Sequence, residues 1–328
     1  MVFYVNYIFI YILYKLYILI TITYNNVIAT IFLKGRIMNT YTFDNFNKDF
    51  PDNDTCLEWL KNYLFPAGIV CINPKCKKFD DISPHHRIKG RMCYSCDYCG
   101  NHVYPMADTI FEGSTTPLKS WFYAIYIMSS TRCGISAKQL QREIGVTYKT
   151  AWRMFNKIRN MLYQPPVKKK GTFEADETYL GARCPGKTGR GAGNKSIIFG
   201  IVNRKGRLIC KRIANVKSKT LIPLIKENVT PEAIIYTDEF PSYKKLSKLG
   251  YNHQYIHHLE KVYVINDIHI NGIEGFWSLF KRGINGVYHS VSKKHLQKYI
   301  NEYVFRYNNR SKQDSMFFEM MAYACRSF

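Results

Sequence analysis

TFEADETYLG (172–181), SIIFGIVNR (196–204), LICKRIA (208–214) and AIIYTDEF (233–240) are four strand-like runs in quick succession. Helical stretches at 219–228, 242–249 and 272–283 are interleaved with them or follow them. Strands that alternate with helices predict an α/β domain, a mixed sheet flanked by helices over about residues 171–310. Upstream, PPVKKKG (165–171) is a linker, since two prolines stop a helix and the basic run is solvated. From Pro117 to about Tyr163 the apolar positions follow the helical period, broken at Gly134 and Gly145, which predicts three or four helices. DTCLEWLKNYLF (54–65) reads as a short amphipathic helix with a cap candidate at its start. There is no internal repeat, and residues 311–328 are left as a tail without a reading.

The α/β segment carries acids where phosphodiester chemistry needs them. Two Mg²⁺ or Mn²⁺ ions flanking one phosphate require carboxylates from distant parts of the chain to converge. Asp176 lies in the first run and Asp238 closes the fourth, so both can project from neighbouring strands of one sheet. Glu274 follows thirty-six residues later on a helix. There Ile273, Phe276, Trp277, Phe280 and Ile284 form an apolar stripe, and Glu274, Ser278, Lys281 and Arg282 share another face. Taken singly, each acid is more readily a solvated surface charge, and strand periodicity does not choose among Glu174, Asp176 and Glu177.

Two further patterns precede this segment. Cys71 and Cys76 are separated by four residues, Cys96 and Cys99 by two, with nineteen between the pairs, so residues 71–112 read as a zinc ribbon whose structural Zn²⁺ supplies folding energy. Cys93 competes for the second knuckle; Cys96 and Cys99 are preferred because Gly100 supplies the turn that brings backbone amides to the sulfur. Residues 134–159, GISAKQLQREIGVTYKTAWRMFNKIR, then read as a helix-turn-helix within 117–163. Ile135, Leu140 and Ile144 make its first apolar face, Thr147 caps the second helix, and Ala151, Trp152 and Phe155 face inward. Tyr148, Lys149, Thr150 and Arg153 are left near the exposed start of that helix as DNA contacts. The plainer alternative is an ordinary buried helical hairpin.

Composition agrees with a polyanionic partner. Forty-seven Lys and Arg against 24 Asp and Glu give +23 over 328 residues, the balance expected where phosphate neutralisation dominates affinity. A/T-rich codons for Ile, Asn, Lys, Tyr and Phe are a competing source of lysine. Ten cysteines, five of them between Cys71 and Cys99, suit a metal and a reducing compartment rather than a disulfide scaffold. Residues 2–23 are apolar enough to span a bilayer, with Lys15 the only charge. Met38 opens a stretch of ordinary soluble composition, so residues 1–37 are read as upstream sequence from an over-long gene model, with a membrane anchor as the lesser reading and 38–70 as an N-terminal arm.

From about residue 55 to 310 the chain resembles the Merlin-type transposases of eukaryotes and their bacterial insertion-sequence relatives. The resemblance is carried by the helix-turn-helix run, by EADETYLG, by IIYTDEFPSY, and by HINGIEGFWSLFKRGINGVYHSVSKKHLQKYINEYVFRYNNR, in that order. It implies a zinc ribbon and helix-turn-helix ahead of an RNase H-like catalytic domain, with Asp176, Asp238 and Glu274 as a catalytic triad binding two divalent ions. Some bacterial relatives use Asn as third residue, and Asn271 sits one helical turn before Glu274, which leaves that position open. Lys281 matches the family's basic residue for a transposon-end phosphate. The partners implied are double-stranded DNA, as terminal repeats and as target, and further copies of the chain. The location implied is the nucleus in a eukaryote and otherwise the cytoplasm. His257, His258, His269 and His289 fall near the site by sequence, as supporting or DNA-contacting groups. A domesticated DNA-binding protein that no longer cuts is the alternative.

Overall fold

The computed structural model describes residues 41–181, 195–204, 206–256 and 269–326. Residues 1–37, His257 and His258 lie outside that set. Two compact units divide the chain after Tyr126 and after Lys312, so that the C-terminal stretch rejoins the first.

In the first unit α1 (Phe43–Asp49) starts at Thr42, whose hydroxyl accepts from the Asn45 amide while Asn45 Oδ1 accepts from the Thr42 amide. Helix α2 (Asn53–Leu64) is capped by Asp52, which accepts from the Thr55 amide at 2.7 Å, so it begins one residue ahead of the expected start. Burial of Cys56, Leu57 and Leu60 follows its amphipathic spacing. Three short antiparallel strands, β1 (His85–Arg87), β2 (Tyr94–Cys96) and β3 (His102–Val103), follow, and then α3 (Leu118–Ser130).

The second unit opens at Ile127, within α3, and continues with α4 (Ala137–Ile144) and α5 (Tyr148–Met161), the last two of three helices between 117 and 163. Its sheet takes β4 (Thr172–Leu180), β5 (Ser196–Asn203) and β6 (Leu208–Ile213) from successive segments. Helix α6 (Ser218–Asn228) crosses to β7 (Ile234–Asp238). A 3₁₀ turn (Pro241–Tyr243) and α7 (Lys245–Lys248) lead to β8 (Asn252–Ile256). Helix α8 (Asn271–Gly283) runs into a π turn (Ile284–Tyr288), and α9 (Leu296–Asn308) follows. Back in the first unit, α10 (Met316–Ala324) gives the C-terminal tail a helix of its own. Its Phe317 stacks on Tyr41 and packs against Phe46 and Phe50. Among the described residues no helix is long and apolar enough to cross a membrane.

Strand order is β6-β5-β4-β7-β8, with β6, β5 and β4 antiparallel and β4, β7 and β8 parallel. This is the mixed RNase H-like sheet. Because side chains alternate along a strand, Phe173, Ala175, Phe199 and Ile201 pack with α6 through Leu221 and Ile225. Ile198, Val202 and Leu208 face the opposite layer, meeting Ile273, Phe276, Trp277 and Phe280 of α8 and Ile300 and Tyr303 of α9. Truncating a side chain as enclosed as Phe280, 0% exposed, costs about 3–5 kcal/mol. The outer edge of β6 is closed by carboxamides of α9. Asn308 exchanges hydrogen bonds with both backbone groups of Leu208, and Gln297 serves the Cys210 carbonyl and the Arg212 amide. An edge so covered offers no template to another strand.

A buried ion cluster fastens α5 to this unit. Arg159 meets Glu302 of α9 at 2.7 Å, with side chains 3% and 0% exposed, and Arg306 meets the same carboxylate at 2.9 Å. The Arg159 guanidinium also lies over the Tyr299 ring, 4.1 Å from its centroid. Burial alone would push the Glu302 carboxyl up, yet the two guanidiniums outweigh it and hold it below the usual range.

Candidate active site and metal centres

The acids of the EADE run, which periodicity leaves equivalent, have different surroundings. Glu177 points to the α6 side, where the Tyr243 hydroxyl donates to it at 2.8 Å. Glu174 and Asp176 share the opposite face, under α8. Glu174 is buried and engaged with Arg204 at 2.9 Å, whereas Asp176 is half-buried and accepts from Trp277 Nε1 at 3.0 Å. The indole lies this close because β5 opposes Asp176 with Gly200, where a Cβ would stand 2.7 Å from the Trp277 ring.

Asp238 enters from the neighbouring strand. The parallel register pairs Glu174 with Tyr236, so two residues further along each chain stand Asp176 and Asp238. Burial, and then the charges of Glu177 and Asp238, push the Asp176 carboxyl up to about 7. Asp238 Oδ1 accepts from the Phe240 amide at 3.1 Å, which bends the chain away at the strand's end. Glu274 is exposed in the first turn of α8, one turn before the Trp277 that touches Asp176, and Asn271 is exposed one turn earlier still. The expected apolar stripe of this helix is buried throughout, from Ile273 to Ile284. Thus Asp176 from the middle of β4 and Asp238 from the end of β7 stand on adjoining strands, and the third acid rides a helix docked on β4. Among the described residues, however, only four thiols form a group of three or more His, Cys, Asp or Glu whose ligand atoms all lie within 4.8 Å of one another. The three carboxylates therefore do not all lie within that distance of one another. Their hard oxygen donors, from a strand pair and a helix, suit Mg²⁺ or Mn²⁺ rather than a softer metal.

Those four thiols are Cys71, Cys76, Cys96 and Cys99, and Cys93 is buried outside the cluster. Cys71 and Cys99 sulfurs are 3.5 Å apart, Cys76 and Cys96 sulfurs 3.9 Å. A tetrahedron with Zn–S legs of ~2.3 Å has edges of about 3.8 Å, so the set fits Zn²⁺ without rearrangement. Burial pushes the Cys96 thiol up, but the amides of Tyr98 and Cys99 and the Ser83 hydroxyl outweigh it and bring it to about 6. This is the approach of backbone amides that the knuckle spacing predicts.

In the helix pair, Ser136 caps α4, Gly145 ends it at φ 66°, and Thr147 caps α5 by accepting from the Thr150 amide. Ala151, Phe155, Leu140 and Ile135 are buried as expected. Trp152 is only half-buried, edge-on to His295 with ring centroids 5.0 Å apart, and Met154 and Ile158 take the inward positions instead. The α5 face turned to the rest of its unit is thus set by α9 rather than by α4 alone. Tyr148, Lys149 and Arg153 are exposed and Thr150 half-buried; on α8, Arg282 is exposed and Lys281 half-buried. His269 stands 3.4 Å from Glu174, and His289 is exposed beyond the π turn. Arg204, Trp277 and Glu174 are the site neighbours that spacing did not single out; only the apolar stripe hinted at the indole.

Residues 168–308 match the ISXO2-like transposase domain. An uncharacterized transposase-like protein of Haemophilus influenzae is 38% identical over 97 residues, 30% of this chain and 77% of that protein. An uncharacterized protein in transposable element ISH50 of Halobacterium salinarum is 27% identical over 277 residues, 79% of this chain and 92% of that protein. Likenesses to solved structures are remote. The catalytic core domain of BIV integrase aligns at 14% identity and TM-score 0.28 over 40% of this chain and 80% of that one. A pre-cleavage Mos1 transpososome chain aligns at 13% and 0.26 over 63% and 79%. With the domain match spanning nearly the whole sheet and 77% of the Haemophilus protein covered at 38% identity, the chain belongs to the insertion-sequence family of transposases with an ISXO2-like domain.

Proposed function

We propose that this transposase cuts DNA at transposon ends and joins the freed ends to target DNA, with Asp176, Asp238 and Glu274 as its metal-binding carboxylates. The observation that carries the reading is the standing of Asp176 and Asp238 on neighbouring parallel strands, each two residues beyond the Glu174–Tyr236 pair, where burial, and then the charges of Glu177 and Asp238, raise Asp176 to about 7. Such a pair is unfavourable by itself and becomes favourable around cations. Two bound Mg²⁺ or Mn²⁺ ions would there make water a stronger nucleophile and offset charge developing on the phosphate.

The chain's own groups hold and aim the substrate. Asp176 and Asp238 orient the scissile phosphate from the sheet, and Glu274, or Asn271, completes the set from α8. Trp277 fixes the Asp176 rotamer through its N–H. Lys281 and Arg282, two turns along the same helix, grip the end phosphates. Water adds to phosphorus as the bond to the 3′ oxygen breaks; that 3′ hydroxyl then attacks a target phosphate in the same site, with no covalent bond to the protein. The exposed start of α5, with Tyr148, Lys149, Thr150 and Arg153, reads the terminal repeat. Zn²⁺ on the four thiols is structural, and concerted cutting of two ends calls for at least two copies of the chain.

The test is cleavage of terminal-repeat DNA by the full chain with Mg²⁺ or Mn²⁺, against Asp176→Asn, Asp238→Asn, Glu274→Gln and Asn271→Ala. Loss of nicking in the first two with end binding retained is expected. Equal nicking by the wild type and Asp176→Asn would sink the reading.

A further inference from the structure

Helix α8 presents Glu274, yet its N-cap makes no side-chain hydrogen bond. Its N-cap residue is Ile270, which offers no side-chain acceptor. The first turn of a helix leaves amides without partners and carries partial positive charge, so a carboxylate is the favoured group there. That carboxylate comes from the sheet. Glu174 Oε2 accepts from the Ile273 amide at 3.0 Å. Gly272 lets the strand and helix approach, since a Cβ there would stand 2.8 Å from the same oxygen.

The other oxygen is committed as well. Arg204 Nε donates to Glu174 Oε1 at 2.9 Å, and His269 Nδ1 lies 3.4 Å from it. Arg204 reaches on to the His269 carbonyl at 2.9 Å and lies over the Tyr236 ring, 4.5 Å from its centroid. Glu174 is 1% exposed. A charge so enclosed and so fully engaged is not left over for a metal; it is a fixture joining β4, the segment after β5, and the entry to α8.

We propose that Glu174 is the positioning residue of the acid site. It stands two residues before Asp176 on the same strand face, and the amide it grips belongs to Ile273, the neighbour of Glu274. One side chain therefore sets where the helix-borne acid stands relative to the strand-borne one. Arg204 holds Glu174 in that pose and steadies the chain at His269. The inference rests on the reading of Asp176, Asp238 and Glu274 as metal ligands, and it adds a residue that acts only through α8.

The experiment uses the full chain as wild type, Glu174→Gln, Arg204→Lys and Asp176→Asn. Three readouts are taken: hydrogen exchange of the first turn of α8, Mn²⁺ binding by electron paramagnetic resonance, and terminal-repeat binding. In Glu174→Gln, exchange at 271–276 quickens, Mn²⁺ binding weakens by ~10–100-fold as for other supporting partners of metal ligands, and DNA-end binding is unchanged. Arg204→Lys moves both readouts the same way by less, and it decides the matter if Glu174→Gln fails to fold. Unchanged exchange at 271–276 in both variants overturns the proposal. So does faster exchange with Mn²⁺ affinity intact, provided Asp176→Asn abolishes Mn²⁺ binding. If Asp176→Asn binds Mn²⁺ as the wild type does, it is the metal-ligand reading that falls, while the exchange data still decide whether Glu174 holds the helix.

Discussion

The two sets of ligand-type side chains in this chain are built on opposite plans. The four thiols come from residues 71–99, on short loops that backbone turns shape, and their sulfurs already stand at tetrahedral spacing. The three acids come from residues 176, 238 and 274, on two neighbouring strands and a helix, and the charge of Asp238 adds to burial and to Glu177 in raising Asp176. A local site can be preformed because short loops fix it cheaply; a distributed carboxylate site stores electrostatic cost until a cation arrives. Glu302 makes the contrast sharper, being a buried carboxylate in the same unit as Asp176 whose cations, Arg159 and Arg306, are part of the protein.

Removing zinc tests the first plan and carries the largest expected effect. Chelation, or Cys76→Ser, should unfold the ribbon, since structural zinc supplies about 10–16 kcal/mol of apparent binding free energy in small zinc domains. Hydrogen exchange should then lose all protection at 71–103, and elemental analysis of the untreated protein should find one zinc per chain. A ribbon still protected after chelation would mean the thiols pack without a metal.

Next comes the distributed site. Asp176→Asn and Asp238→Asn should each lower the nicking rate on the order of 10³-fold or more, beyond the ~10–100-fold of supporting partners. The same assay on Glu274→Gln and Asn271→Ala identifies the third ligand: the larger loss marks it.

Glu302→Ala should cost about 3–5 kcal/mol, because two buried guanidiniums lose their counter-charge; denaturant unfolding gives the number. Acid titration separates Glu302 from Asp176 by sign. Glu302, held below its ordinary value of 4.5, contributes stability that is present at neutral pH and is lost as pH falls through its folded value. Asp176, raised from 3.8 to about 7, does the reverse: the metal-free fold binds its proton more tightly than the unfolded chain, so stability declines as pH climbs from about 4 through 7. Melting curves of metal-free wild type and Asp176→Asn between pH 5 and 8 should therefore converge at the acid end and diverge towards pH 8, the variant being the more stable. Parallel curves would remove the repulsion from the argument. The smallest effect is expected at the exposed start of α5, where, on the proposed reading, Lys149→Ala should reduce the salt slope of end binding by about 1.

How much was legible beforehand depended on whether each feature is local. The knuckle spacing led to the four thiols, the alternation of strands and helices to a mixed sheet, and the helical period to the buried stripe from Ile273 to Ile284. Strand β8 escaped notice because Asn252–Ile256 is short, largely polar and at the sheet edge, where only Ile256 is buried. Helix α10 escaped because its apolar residues have no evident partner until Tyr41, Phe46 and Phe50 fold against Phe317.

What the amino-acid order by itself determined was everything that depends on neighbours along the chain: caps at Thr147 and Ser136, the thiol pairs, the strand and helix periods. What only the tertiary structure decided was which acid faces which partner. Glu174, Asp176 and Glu177 are nearly alike in sequence and differ because Glu177 faces Tyr243 on one side of the strand, while on the other Glu174 meets Arg204 and the Ile273 amide and Asp176 meets Trp277. Electrostatic energy depends on distance in space and on burial, and neither can be read from separation along the chain.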